Sequence, residues 1–411
     1  MKDKKLIIVI VVLALILIGM IVVAVVPFRS KNNIDNSNTT AKIEEDLDLN
    51  ITNEINSDWD EENSTVITLS GNLNITKAGT YHLTGTIENG SVNINVGDND
   101  TVTLVLDNVN ITNSNGSAIY VENADEVIIT ALEGTTNTLT DGGTSEEIDG
   151  CIYSKDDLVI NGKGTLNIVA NNADGIVSKD DLKIYEVTIN VTANDDGIRG
   201  KDSLEMKNAN IKLNVKQDGI KATEDTDTSK GYIIIENSNI EIQSGDDGIH
   251  AETNLKISGG TYNIVAGDDG IHANGMCQID DGTFDITATE GIEATYVKIN
   301  GGTIKIAASD DGINAGNKSD NYSVVIEING GDITINMGQG DTDGIDSNGS
   351  LYINGGTINI TGNSPFDYDG EAKLNGGTLI VNGEETDTIT NQFMGGGMPG
   401  GMNPGGMQRM R

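Results

Sequence analysis

The sequence describes an acidic chain of 411 residues with a formal net charge of −38 and only 4% aromatic residues. This charge argues against a nucleic-acid partner and favours cations, or a polymer bridged by cations, as ligands. Because aromatic residues are so few, a core must be built from Ile, Val, Leu and Ala.

Residues 1–28 are typical of a membrane anchor. Lys2, Lys4 and Lys5 precede an apolar run from Leu6 to Val26, which is long enough to span a bilayer. Lysines ahead of the span place the N-terminus in the cytoplasm and the rest of the chain on the extracellular face of the membrane. The alternative is a cleaved signal peptide and a secreted protein, although a signal peptide usually has a shorter apolar region.

Three further segments follow the apolar run. Residues 29–63 are polar and predict a flexible stalk. Residues 64–392 contain sequence repeats and predict one β domain. Residues 393–411 are rich in Gly, Met and Pro, and we expect this tail to be disordered.

The phrase Asp-Asp-Gly-Ile and weaker copies of it organise the domain. The glycines of these copies are Gly175, Gly197, Gly219, Gly248, Gly270, Gly291, Gly312 and Gly344, and the steps between them are 22, 22, 29, 22, 21, 21 and 32 residues. A period in the low twenties is typical of a solenoid, in which each repeat buries its apolar face against its neighbours.

Each repeat contains three short runs of alternating apolar and polar residues, which is the pattern of β-strands. Glycine corners separate the runs, as in Asn300-Gly-Gly-Thr303. Three short strands per ~22 residues predict an all-β fold, a parallel β-helix in which successive coils stack. A leucine-rich repeat has a similar period, but it requires Leu at fixed positions and a helical arm.

Alignment of the coils by the Ile of each phrase predicts a column of outward-facing side chains. The column consists of Tyr120, Tyr153, Val177, Arg199, Lys221, His250, His272, Glu293, Asn314 and Asp346. Bases cluster in the middle of this column in a chain that is otherwise acidic. We therefore predict that Arg199, Lys221, His250, His272 and Tyr153 bind substrate; the alternative is a solvated edge without function.

A column of aspartates flanks these residues. Carboxylates about 4.8 Å apart on adjacent strands repel one another by roughly 1 to 3.5 kcal/mol per pair, so cations are expected among them. Calcium takes oxygen ligands. We predict Ca²⁺ as a cofactor, with ligands drawn from Asp195, Asp196, Asp246, Asp247, Asp268, Asp269, Asp310 and Asp311. Alternatively, Asp is present only because it favours the turn before glycine.

Two insertions interrupt the repeats, from Thr223 to Lys230 and from Gly316 to Asn321. Both enter at the same corner of their coils, and the coils are four apart. We expect the two insertions to wall a groove between them.

Several motifs resemble one bacterial family. They are Ala78-Gly-Thr-Tyr81, Asp107-Asn-Val-Asn-Ile-Thr112 and Glu133-Gly-Thr-Thr-Asn-Thr-Leu139, followed by the Asp-Asp-Gly-Ile coils and the Gly-Met-Pro tail. Together they resemble the clostridial cellulose- and pectin-binding β-helix proteins described as carbohydrate-binding domain-containing. The resemblance implies a right-handed parallel β-helix similar to that of calcium-dependent polysaccharide lyases, bound Ca²⁺, and affinity for acidic or cellulosic polysaccharides.

The leading functional hypothesis is therefore a non-catalytic, calcium-dependent binder of uronate-rich or cellulosic polysaccharide at the cell surface, with no required protein partner. One alternative is a pectate-type lyase, which needs a base to remove a proton beside the uronate carboxyl group. Lys221 or Arg199 is the candidate base, beside Asp195, Asp196 and Asp218. The other alternative is a structural adhesin.

Overall fold

The structure is a computed structural model that describes residues 41–51, 57–143, 145, 147–338 and 342–391. The predicted membrane anchor, residues 29–40 and 52–56 of the predicted stalk, and the tail 393–411 lie outside these residues. A search of the described part of the chain finds no helix with the length and apolar character needed to cross a membrane.

The regular elements of the described residues are all β-strands. In chain order they are β1 (Thr65–Leu69), β2 (Leu73–Ile75), β3 (Gly79–Ile87), β4 (Val92–Asn95), β5 (Thr101–Thr112), β6 (Ile119–Asn123), β7 (Glu126–Ala131), β8 (Thr136–Thr140), β9 (Gly150–Ser154), β10 (Asp157–Gly162), β11 (Thr165–Ala170), β12 (Asp174–Ser178), β13 (Asp181–Tyr185), β14 (Thr188–Ala193), β15 (Ile198–Gly200), β16 (Ser203–Lys207), β17 (Asn210–Asn214), β18 (Ile220–Ala222), β19 (Tyr232–Gln243), β20 (Ile249–Ala251), β21 (Leu255–Val265), β22 (Asp269–Ala288), β23 (Glu290–Ile299), β24 (Thr303–Ala308), β25 (Ile313–Ala315), β26 (Val325–Ile328), β27 (Asp332–Met337), β28 (Asp343–Ser347), β29 (Ser350–Ile353), β30 (Thr357–Thr361), β31 (Ser364–Tyr368), β32 (Ala372–Leu374), β33 (Thr378–Val381) and β34 (Glu384–Thr386).

Parallel pairing connects these strands into one sheet of 34 strands. A typical strand pairs with the strands three places before and after it, as β10 does with β7 and β13. We call each set of three consecutive strand segments a layer. Between β33 and β34 the pairing is antiparallel. The sheet winds around a continuous core of Ile, Val, Leu and Ala, as the composition predicts.

The fold class predicted from the repeats is corrected in two respects. The described residues form a single closed sheet of 34 strands around their core rather than an open solenoid, and the coils are not regularly 22 residues long. Paired positions lie 16 residues apart at Thr65 and Tyr81 but 32 apart at Ile313 and Ile345. The repeat pattern was misleading because insertions lengthen some corners, and strands such as β22 continue through others.

Each layer contributes one strand segment to each of three faces. The Asp face contains the Asp-Gly-Ile segments, for example β15, β18 and β20. The middle face contains the second segments, for example β16 and the Leu255–Ser258 part of β21. The third face contains β14, β17 and β24, from which Asn, Thr and charged side chains point outward.

Glycine is required in the Asp-Gly-Ile phrase by close approach between layers. A Cβ atom on Gly248 would lie 2.4 Å from the carbonyl oxygen of Gly270 and 2.5 Å from Ile264 Cγ2. At the corner between the middle and third faces the requirement is different, because Gly302 has a φ of +96°, a conformation that favours glycine.

Residues 41–51 of the predicted stalk lie along the middle face, and we call this segment the strap. The N–H group of Leu47 donates to Gln278 Oε1 at 2.7 Å, and Lys256 Nζ donates to the carbonyl oxygen of Leu47 at 3.1 Å. Lys298 Nζ donates to the carbonyl oxygen of Glu44 and pairs with Asp46 Oδ1 at 2.7 Å. Side chains of the sheet thus bind the strap mainly through the main-chain atoms of the strap.

Candidate functional site

The column of outward-facing residues lies on the Asp face in the predicted register. Arg199 pairs with Lys221, Lys221 with His250, and His250 with His272. The alignment continues to Tyr153 in one direction through Val177 and to Glu293 in the other. The predicted alignment of the column is therefore confirmed.

The aspartate that precedes each glycine forms a hydrogen-bonded ladder between layers. The N–H group of Asp196 donates to Asp174 Oδ1, that of Asp218 to Asp196 Oδ1, that of Asp247 to Asp218 Oδ1, and that of Asp269 to Asp247 Oδ1, all at 2.9 to 3.0 Å. One carboxylate oxygen per layer therefore satisfies a buried backbone donor of the next layer. The turn preference of Asp before glycine does not predict this role.

The other oxygen of the same carboxylates holds the bases of the column. Asp174 pairs with Arg199, Asp218 with Lys221, Asp247 with His250, and Asp269 with His272. The distances from oxygen to nitrogen are 2.5 Å for Lys221, 2.7 Å for His250 and 2.6 Å for His272. Lys221, His250 and His272 are thus paired within their own layers, and Arg199 is paired with the aspartate of the preceding layer. The column is therefore not a free cationic strip.

The two histidines stack, with ring centroids 4.5 Å apart and planes inclined by 12°. Burial would lower the pKa of His272, but its contacts with Asp269 and Glu293 raise that pKa to about 10. For His250, burial is likewise outweighed by Asp247 and Glu252, so its pKa is also raised. His272 is therefore a cation at neutral pH, stacked against His250 and surrounded by carboxylates.

Arg199 and Tyr153 are less accessible than a substrate-binding role on an outward-facing column requires. Arg199 bonds to Asp149 at 2.6 Å as well as to Asp174. Burial raises the pKa of Asp174 to about 7, although Arg199 opposes the shift. Tyr153 is only 4% exposed, and its ring centroid lies 6.0 Å from that of Tyr120. The ring of Tyr153 therefore offers no open face to a ligand.

A cleft of about 410 Å³ opens in the middle of the Asp face. It is lined by Asp218, Lys221, Asp246, Asp247, His250, Asp268, Asp269, His272, Glu290, Glu293 and Lys318. Seven of these eleven residues are acidic. Among them, Glu293 binds Lys318 at 2.7 Å, and His272 and Lys318 lower its pKa to about 2 against the effect of burial. Carboxylates therefore outnumber basic groups in this cleft.

Three groups of potential metal ligands occur in this cleft, each with ligand atoms within 4.8 Å of one another. They are Asp218, Asp246 and Asp247; Asp247, His250 and His272; and Asp269, His272 and Glu293. The first offers oxygen atoms alone, which is the ligand set that calcium prefers. The carboxylates of this group repel one another: burial and the charges of Asp218 and Asp247 raise the pKa of Asp246.

The eight aspartates predicted as calcium ligands are thus not equivalent. Asp246, Asp247 and Asp269 take part in the three groups. Asp195, Asp196, Asp268, Asp310 and Asp311 belong to no group of three or more such ligands among the described residues. Asp218 and Glu293 were not among the predicted ligands. Asp218 was detectable, since it precedes the glycine of a weaker repeat; Glu293 was detectable only as the column neighbour of His272.

The groove expected between the two insertions is present. Its volume is about 300 Å³, and its lining includes Asp225 and Thr228 from the first insertion and Lys318 and Asp320 from the second. Lys318 also lines the acidic cleft. The cleft and the groove therefore adjoin one another at Lys318.

The model of a family described as "Carbohydrate-binding domain-containing protein" matches residues 70–340 and 266–373. The chain belongs to this family. A carbohydrate-binding domain-containing protein of Acetivibrio thermocellus is 40% identical over 128 residues, which are 29% of this chain and 45% of that protein. The chain thus spans less than half the length of that relative. The family resemblance inferred from the sequence motifs is confirmed.

A solved structure described as the polysaccharide lyase-like protein from C. thermocellum, in a gadolinium derivative, is also similar. It is 24% identical, and the match covers 77% of this chain and 96% of that chain with a TM-score of 0.34. A likeness at that TM-score supports no conclusion about the site or its chemistry.

Proposed function

We propose that this member of the carbohydrate-binding domain-containing family binds an acidic polysaccharide on the outside of the cell, through Ca²⁺ in the cleft of the Asp face, without cleaving it. Membership of the family supports polysaccharide as the ligand class. The observation that carries the proposal is the oxygen-only group of Asp218, Asp246 and Asp247 in a cleft with excess carboxylates.

Calcium fits the donor set and the charge of this cleft. Asp218 and Asp247 are buried and already bond to Lys221 and His250. The third carboxylate, that of Asp246, adds a like charge whose repulsion a bound cation would offset. The carboxylates accept one backbone N–H group each from the ladder, and a carboxylate oxygen has capacity for a further partner. When bound, Ca²⁺ supplies positive charge that attracts a uronate carboxylate.

An acidic polymer suits the surroundings of the proposed calcium site. Without a cation the cleft repels uronates, so bridging by Ca²⁺ is required. Lys318, which lines both the cleft and the adjoining groove, offers a donor to sugar oxygens of the next residue along a chain. Binding therefore depends on calcium and on salt concentration.

A binding role is favoured over lyase chemistry by the state of Lys221. Burial would lower the pKa of Lys221, but its bond to Asp218 and the charges of Asp196 and Glu252 raise it above the ordinary value. A lysine that is a general base needs a depressed pKa. Lys221 thus remains protonated near neutral pH and is a poor base.

The proposal is tested by affinity electrophoresis in gels containing polygalacturonate, with calcium or with EGTA. The double variant Asp246→Asn/Asp247→Asn removes two charges but keeps an amide oxygen that can accept the N–H group of Asp269. The control Glu241→Gln/Asp285→Asn removes two charges from exposed positions on the third face. We expect calcium to strengthen retention of the wild type and control about tenfold or more, a change of about 1.4 kcal/mol, and to leave the cleft variant unaffected.

A result in which the cleft variant responds to calcium as the wild type does would refute the site. Retention that EGTA does not reduce would refute calcium dependence. Release of unsaturated uronate ends, seen as ultraviolet absorbance, would refute the non-catalytic assignment.

A further inference from the structure

A second pocket, about 430 Å³ in volume, lies near the beginning of the sheet, away from the residues of the acidic cleft. It is lined by Ser57, Asp58, Trp59, Thr130, Ala131, Leu132, Glu133, Gly162 and Lys163. The volume is within the range of about 300 to 1,000 Å³ that is typical of small-ligand pockets. None of these residues contributes to the cleft of the Asp face.

Trp59 is the only tryptophan of the chain, and it is half-buried beside this pocket. The indole makes an edge-to-face contact with the ring of His82, with ring centroids 5.2 Å apart and planes inclined by 61°. His82 Nε2 in turn contacts Asp107 Oδ2 at 3.2 Å, and Asn108 donates to the other oxygen of Asp107 at 2.9 Å. The indole thus packs against a histidine that Asp107 and Asn108 in turn support.

The floor of the pocket is equally well defined. Thr130 and Ala131 end strand β7, and Gly162 ends the paired strand β10. Gly162 has a φ of +108°, and a Cβ atom there would lie 2.1 Å from the carbonyl oxygen of Ala131. Glycine is thus required to bring the corner that carries Lys163 against the pocket.

This combination suits an uncharged sugar. The negative face of an indole attracts the weakly positive C–H groups on one side of a pyranose ring. Asp58 and Glu133 present acceptors for hydroxyl groups, and Lys163 presents a donor. Two carboxylates against one ammonium group disfavour a uronate in the same place.

We propose that the Trp59 pocket binds one neutral pyranose residue of a polysaccharide and needs no metal ion. This subsite rests on the proposal that the chain binds polysaccharide, but it is independent of calcium and of the Asp face. A polymer with neutral and acidic segments then has two different points of attachment on one protein.

Intrinsic fluorescence tests the subsite, because all tryptophan emission of the chain comes from Trp59. The full-length protein is titrated in EDTA with cellohexaose, mannohexaose or xylohexaose, and with tetragalacturonate for comparison. We expect at least one neutral hexasaccharide to shift the emission to shorter wavelength in a saturable manner. Glu133→Gln and Lys163→Ala each remove one hydrogen-bonding charge and should weaken that binding about threefold to tenfold.

Lys212→Ala serves as the matched control, since Lys212 is an exposed lysine on the third face; it should bind as the wild type does. The cleft variant Asp246→Asn/Asp247→Asn should also retain the fluorescence change, which separates this subsite from the calcium site. If no neutral hexasaccharide changes the emission, or if tetragalacturonate binds more tightly than all of them in EDTA, the proposed subsite is overturned.

Discussion

Asp247 illustrates how one side chain serves both the fold and the site. Its Oδ1 accepts the N–H group of Asp269, and its Oδ2 holds His250. Burial would raise the pKa of Asp247, but His250 and the N–H group of Asp269 lower it. The carboxylate therefore remains charged because the ladder and the base stabilise it.

Replacement of Asp247 separates these two roles. Asp247→Asn keeps an acceptor for the buried N–H group of Asp269, whereas Asp247→Ala leaves that donor without a partner. An unsatisfied buried donor costs about 1 to 3 kcal/mol, so we expect Asp247→Ala to be less stable than Asp247→Asn by that amount. Urea denaturation in EGTA measures the difference, and equal stability of the two variants would show that the ladder contributes nothing.

Asp141 gives the chain a pH dependence that lies outside the cleft. Burial raises its pKa from 3.8 to about 6, although the N–H groups of Asn172 and Asn171 oppose the shift. The folded state thus binds this proton more tightly than the unfolded state does. Stability from this group is therefore lost as the pH rises from about 4 through 6, and is not regained above that.

Asp141→Asn should remove this loss, because the amide oxygen still accepts from Asn171 and Asn172 without becoming charged. We expect the variant to melt at a higher temperature than the wild type at pH 7 and at nearly the same temperature at pH 4. Melting curves recorded at several pH values test this expectation. Two parallel profiles would contradict the raised pKa of Asp141.

At the scale of elements, the layers approach so closely at the Asp-Gly-Ile corner that only glycine fits at its second position. Gly248→Ala should be strongly destabilising, since the added Cβ overlaps the carbonyl oxygen of Gly270 and the layers must separate. Gly71→Ala is the control, because no atom lies within 4 Å of a Cβ at that position. Thermal melting should show a large loss for the first variant and little change for the second. Similar melting temperatures would contradict the close approach.

The strap depends on a lysine that is 5% exposed, Lys298. Lys298→Met keeps the length of the side chain but removes its bonds to Glu44 and Asp46, so the strap should detach while the sheet remains folded. Charge-assisted hydrogen bonds of this kind contribute about 1.5 to 3 kcal/mol each. Hydrogen exchange should become faster at the N–H group of Leu47 and remain slow in β23. Unchanged protection of Leu47 would mean that Lys298 does not retain the strap.

At the scale of the whole molecule, the features that the sequence predicts correctly are those that follow from its repeating pattern. The Ile of each phrase gave the register of Arg199, Lys221, His250 and His272, because side chains alternate strictly along a strand. The two insertions likewise gave the groove, since their positions within the repeat are visible in the sequence.

Other features depend on contacts that no local pattern records. The strap has no periodicity, and its partners Lys256 and Lys298 lie more than 200 residues away in the chain. The pairing of each base with an aspartate of the ladder was missed because side-chain direction at a corner cannot be read from spacing. The regular solenoid failed for a similar reason, since corner lengths vary without disturbing the paired strands.

The acidic cleft depends on residues, elements and the whole fold together. The hydrogen-bonded ladder orients its carboxylates, the stacking of layers fixes the distance between them, and the insertion that carries Lys318 borders the cleft. The most direct test of its function is a crystal of the protein grown with calcium and tetragalacturonate, measured at a wavelength where calcium scatters anomalously. We expect an anomalous peak in contact with Asp218, Asp246 and Asp247, and a uronate carboxylate bound to the same ion. A cleft without calcium, or calcium there with the sugar bound elsewhere, would contradict the account.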